Sequence, residues 1–223
     1  MKGNKHMNKF DFKKKYKDLY APTTTPSLIT VPAALYLMVD GKGNPNDPNG
    51  EYPKAIELLY SLSYSIKMSL KKEAVSGISN EDYVVAPLEG LWWLNNQQDT
   101  DFTKKENFYW TSMIRQPDFI TDTMFHNACA SITKKKPEFD VTKARLRRFQ
   151  EGLCAQIMHN GPYDEEPVSI HKLDCFIKAQ GYQYDIGNPT EDGMIRRHHE
   201  IYLNDFRKTS PEKLKTIIRH PIR

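Results

Sequence analysis

The chain has 223 residues, enough for one large domain or two small intertwined halves around a real core, and its 11% aromatic content points to a globular protein with aromatic-lined surfaces. The formal charge of +4 is concentrated at one end: residues 1–20 carry seven Lys against two Asp, so the remaining body sums to about −1, which argues against direct DNA binding. No apolar run nears the roughly 20 residues of a membrane span, and the Lys-rich start lacks the apolar core of a secretion signal, so a cytoplasmic protein without membrane contact is expected.

The basic lead-in, residues 1–20, gives way to APTTTPSLITVP, whose Pro and Thr keep it extended and feed a strand over about 28–39. GKGNPNDPNG then makes an irregular loop. In 51–71, Ala55, Leu59, Leu62 and Ile66 recur at helical steps and form one apolar stripe that can lie on a sheet. Two strands follow, within YVVAPLEGLWW and FYWTSMIRQP. Phe119, Met124, Phe125 and Cys129 give residues 118–133 the spacing of a connecting helix. A second series then begins: a strand over 152–159, a helix over 165–180 that stops at Gly181, and strands within MIRRHHEIYLND and LKTIIRHP.

The second series repeats the first. Strand, helix, strand, strand occurs twice, in halves of about 28–117 and 145–223, and Arg115 and Arg219 are each followed by one residue and a Pro. Glu89 and Glu200 are expected at matching places in the two copies. The reading is an α+β fold of duplicated strand-helix-strand-strand halves, a single domain over 21–223 with a pseudo-twofold cleft.

Alternation along a strand groups His198, Glu200 and Tyr202 on one side, Glu89, Leu91 and Trp93 on another, and Phe108, Trp110, Ser112 and Ile114 on a third. Such faces would wall a ligand site with aromatic rings. A glutamate set among them is either a general base or acid whose pKa burial raises, or an ionised partner for a cationic ligand that the ring faces also attract. It would instead be ordinary if Glu200 met solvent or paired with Arg196 or Arg197. No metal is expected, because neighbouring His198 and His199 point to opposite faces of a strand, and no cofactor motif is present. Cys129, Cys154 and Cys175 lack the paired spacing of redox or zinc motifs and read as reduced thiols.

The runs EGLCAQIMHNGPYDEEP, RRHHEIYLND and PEKLKTIIRHP, with KDLYAP, PLEGLWW and MIRQPDF before them, resemble the stand-alone branch of the GyrI-like small-molecule-binding proteins from about Tyr16 onward. The resemblance implies a cleft for planar, lipophilic, aromatic ligands. In some members of that branch it also implies hydrolysis of the strained cyclopropane ring of DNA-alkylating compounds. The family's acidic position falls on Glu200, implied as the catalytic residue. Trp110, Tyr163, His159, Tyr202, Glu89 and Trp93 are the candidate ligand-binding residues, with Tyr163 or His159 suggested by residue type as a weak proton donor. The alternatives are a sequestering, multidrug-binding protein that does no chemistry, or a gyrase-inhibitor-like protein-binding module. A monomer or weak homodimer is expected.

Overall fold

The computed structural model describes residues 9–75, 82–94 and 104–223. Eight strands form one antiparallel sheet: β1 (Ser27–Val31), β2 (Ala34–Lys42), β3 (Leu88–Leu94), β4 (Phe108–Gln116), β5 (Ala144–Phe149), β6 (Gly152–Asn160), β7 (His198–Tyr202) and β8 (Lys215–Pro221). Their order across the sheet is β1-β6-β8-β7-β3-β4-β2-β5. Two short turns of helix, α1 (Phe12–Lys15) and α2 (Lys17–Tyr20), precede the sheet in the chain, and three longer helices follow: α3 (Glu51–Val75), α4 (Asp122–Lys135) and α5 (Glu166–Ala179). No helix among the described residues is long and apolar enough to cross a membrane.

The fold is α+β, with the two series as its repeats, β2-α3-β3-β4 and β6-α5-β7-β8, meeting where β3 pairs with β7. The run expected as one strand from 28 to 39 is two strands, because Pro32 withholds a ladder donor between them. The second piece pairs within its own half and the first does not. β1 pairs with β6, and β5, which residue patterning did not reveal, pairs with β2. Each half is therefore edged by a strand that precedes the other half's pairing partner in the chain.

Helices α3 and α5 lie on the same side of the sheet. The stripe of Ala55, Leu59, Leu62 and Ile66 on α3 packs with Leu35, Leu37 and Val39 of β2, and Leu173 and Ile177 of α5 pack with Ala155 and Ile157 of β6. α5 ends at Gly181, which supplies the positive φ of 78° that closes the turn. Helix α4 follows β4, starting where Thr121 accepts a hydrogen bond from the Met124 amide, and packs on α3. On the opposite side, residues 10–20, taken from their lysines as a lead-in outside the domain, bury Phe12, Leu19 and Tyr20.

Candidate functional site

Register decides which side chains meet at the join. Gly90 lies opposite Glu200, and Glu89 opposite Ile201, so the two glutamates point to opposite faces of the sheet and are not equivalents. The expected match was one residue out of phase. Arg115 and Arg219 do share a face, the one away from α3 and α5, each opposite a β-strand residue of its own half at Tyr36 and Gln156.

On the helix face, Glu200 is held by both oxygens. Nε2 of His198 lies 2.8 Å from Oε1, and the Tyr202 hydroxyl donates to Oε2 at 2.6 Å. Tyr202 in turn accepts from Nε1 of Trp92 at 2.9 Å. That contact needs Gly90: a Cβ there would stand 2.6 Å from the Trp92 nitrogen. Behind His198, its Nδ1 lies 2.7 Å from Nε2 of His220. Burial, and then the proximity of His198, push His220 well below the usual histidine range, so it is neutral. The tautomer satisfying both contacts has His220 donating to His198 and His198 donating to Glu200.

Two donor chains thus end on one carboxylate. Burial works to raise the Glu200 pKa, but the hydrogen bonds from His198 and Tyr202 prevail and hold it below the ordinary glutamate value. Glu200 is ionised at neutral pH. Rings surround it: Tyr163 meets Tyr202 edge-on at 5.8 Å, while Tyr52 lies 5.2 Å from Trp92 and 5.1 Å from Trp110. Burial and nearby carboxylates raise the pKa of both Tyr163 and Tyr202, which therefore stay phenols.

Five of the seven candidate residues share this face: Glu200, Tyr202, Tyr163, Trp110 and His159. Trp110 is 1% exposed, lying against Gly41 beneath Tyr52, so it backs the ring layer from below. His159 is occupied on both nitrogens, by Ser169 Oγ and the Pro162 carbonyl, each at 3.0 Å. Glu89 and Trp93 are on the other side.

Glu89 belongs to a buried ionic cluster there. It accepts from Tyr20 at 3.0 Å and meets Nε2 of His199 at 3.1 Å; Nδ1 of His199 lies 3.0 Å from Glu151, which Arg219 also contacts at 3.4 Å. Burial opposes charge on His199, but Glu151 and Glu89 overcome it and raise its pKa to about 9. Trp93 sits under the Arg197 guanidinium at 4.6 Å and lines an open groove of about 510 Å³ with Leu91, Met194, Asp40 and Arg145. The groove is roomy and two carboxylates line it, Asp40 and Glu51; Asp40 is already bidentate to Arg145 at 2.7 and 2.9 Å, whereas the carboxylate held by donors on both oxygens among rings is Glu200 on the helix face.

Sequence reasoning missed Tyr52, Glu166 and His220. His220 was within reach of it: Thr216, Ile218 and His220 alternate onto the Glu200 face once β8 is registered on β7.

A model of the GyrI-like small molecule binding domain matches residues 24–223. An uncharacterised conserved protein from Listeria innocua is 44% identical, with a TM-score of 0.85 over 96% of this chain and all of that one. A hydrolase from Listeria innocua is 43% identical, with a TM-score of 0.81 over the same shares. The EcmrR C-terminal domain shares only the fold, at 11% identity and a TM-score of 0.51 over 89% of this chain and 97% of that one. No curated protein matches.

Proposed function

Because the chain belongs to the GyrI-like small-molecule-binding family, we propose that it takes planar, lipophilic molecules between its halves and hydrolyses those carrying a reactive cyclopropane, with Glu200 as the base. The observation that carries this reading is the state of Glu200: ionised, held by donors on both oxygens, and surrounded by aromatic side chains. A carboxylate so fixed can accept a proton from a water aimed at an electrophilic carbon, while rings such as Tyr163 and Trp92 hold a flat ligand in place. The relatives named as hydrolases support a hydrolytic activity in general, and the cyclopropane class is our extension.

The test is product analysis by mass spectrometry with a cyclopropane-bearing aromatic substrate. The wild type should add one water, and Glu200→Gln should keep affinity for the neutral substrate while losing about 100-fold or more in turnover. Wild-type rates equal to buffer over a varied panel would sink the hydrolase reading. One observation favours a second reading, sequestration without chemistry: the low pKa keeps Glu200 charged, which suits a cationic ligand among ring faces. In that case Glu200→Gln weakens cationic ligands selectively over neutral ones.

A further inference from the structure

A second set of rings stands on the face of the sheet away from α3 and α5. Side chains alternate along β3, so Trp92 joins the Glu200 side while Trp93 stands on the other, opposite Tyr109 in register. Tyr109 in turn faces Lys42 of β2, and the guanidinium of Arg197, one residue before β7, lies over the Trp93 ring at 4.6 Å. One row across the sheet therefore runs Arg197, Trp93, Tyr109, Lys42, two rings 6.0 Å apart with a cation at each end. Beside it the buried side chains of Leu91 and Met194 give an apolar bed to the groove of about 510 Å³. That volume is one a small-molecule site has, roughly 300–1,000 Å³.

The charges lining this groove are not equally satisfied. Asp40 is taken up by Arg145 and by the Thr111 hydroxyl, which donates to it at 2.6 Å. Glu51 and Lys42 also border the neighbouring hollow, where neither Trp93 nor Arg197 reaches, so the second carboxylate sits at the Lys42 end. Arg197 has no carboxylate within ion-pair distance among the described residues. Burial lowers its pKa with nothing to offset it, whereas in Arg219 the charge of Glu151 outweighs burial. A half-buried guanidinium held on an indole face, with its fork of donors unmatched, is a receptor for an anion.

We propose that this groove is a second small-molecule site, one that takes planar aromatic carboxylates: the ring packs against Trp93 and the Leu91–Met194 bed, and the carboxylate is received by Arg197. The two faces of the sheet then sort ligands by charge. Ionised Glu200 repels anions from the helix face, and the unmatched Arg197 repels cations from the groove. The site stands apart from the hydrolytic reading, because its residues lie across the sheet from Glu200 and make no contact with it.

Calorimetric titration with naphthoate, its neutral isostere naphthamide and the cation naphthylmethylammonium tests this on the wild type, Arg197→Gln, Arg197→Lys, Trp93→Leu and Glu200→Gln, with near-ultraviolet circular dichroism as the check on folding. Naphthoate should bind the wild type saturably and more tightly than naphthamide. Arg197→Gln should weaken naphthoate about 10-fold or more and leave naphthamide unchanged, since only the charge-assisted pair is lost. Arg197→Lys keeps the charge without the fork and should fall between; it answers for Arg197→Gln if that variant unfolds. Trp93→Leu should weaken both aromatic ligands, and Glu200→Gln should leave naphthoate as it is. Naphthoate that does not bind the wild type, or binds Arg197→Gln and Arg197→Lys as tightly, overturns the site. So does naphthoate that gains affinity in Glu200→Gln or is displaced by naphthylmethylammonium, for it then occupies the helix face.

Discussion

His199 and Glu200 are neighbours in sequence and serve opposite faces of the sheet. His199 is clamped between Glu151 and Glu89, and its folded pKa of about 9 lies above the unfolded value of roughly 6.5. The stabilisation is therefore fully present below about pH 6.5 and is lost as pH rises through 9. Thermal melts should show Tm falling across that window in the wild type, with the fall much reduced in His199→Gln. A flat Tm in the wild type would mean the histidine is neutral in the fold. The same pair of residues shows what alternation reveals and what it hides. The grouping of His198, Glu200 and Tyr202 was readable, because side chains on a strand alternate with period two. The phase between Glu89 and Glu200 was not: equating the two glutamates puts the copies one residue out of register, and one residue turns a side chain to the opposite face. Trp110 was placed on the right face but not at its depth, since α3 and Tyr52 cover it and their packing is not written in β4.

Among the elements, the N-terminal segment departs furthest from its sequence appearance. Seven lysines in residues 1–20 suggest a solvated tail. Yet Phe10 bonds through its backbone to Asp82 and Val84, Phe12 is buried beneath the Arg115 guanidinium at 5.1 Å, and Arg219 and Gln156 donate to the carbonyls of Leu19 and Asp18. Among the described residues, Lys9, Lys13, Lys14, Lys15 and Lys17 are exposed while Phe12, Leu19 and Tyr20 between and beyond them are buried. Removing residues 1–16 should therefore lower stability, with burial of Phe12 alone contributing about 2–3 kcal/mol. The shortened chain should still bind ligand once folded, because Tyr20 keeps its bond to Glu89. Urea denaturation beside ligand titration checks both halves of this expectation, and an unchanged midpoint would return the segment to the status of a tail. Helices α3 and α5 were legible because each carries a continuous apolar stripe. β5 was not, since ARLRRF alternates weakly and its pairing partner β2 lies about 100 residues earlier in the chain.

At the scale of the molecule, the halves are joined in two ways: β3 pairs with β7 at the centre, and β1 and β5 complete the sheet edges of the opposite half. A chain cut between α4 and β5 would leave the first fragment without β5 and the second without β1. Neither fragment should fold alone, whereas mixing them should restore near-ultraviolet circular dichroism and a single unfolding transition. Independent folding of either fragment would show that the exchange is decorative. The site depends on the same arrangement, because Trp92 comes from one half and His198, Glu200 and Tyr202 from the other.

The exchange also sets an order of events during synthesis. β5 finds β2 already made, but β1 leaves the ribosome long before β6, its ladder partner. At about 5–20 residues per second, residues 27–31 wait on the order of ten seconds as an unpaired strand. The strand carries polar Ser27 and Thr30 beside Leu28, Ile29 and Val31, and Pro26 and Pro32 bracket it. A short strand closed at both ends by proline is a poor template for pairing with another chain, so Pro32, which splits the expected strand in two, together with Pro26 guards the newborn protein until its second half arrives.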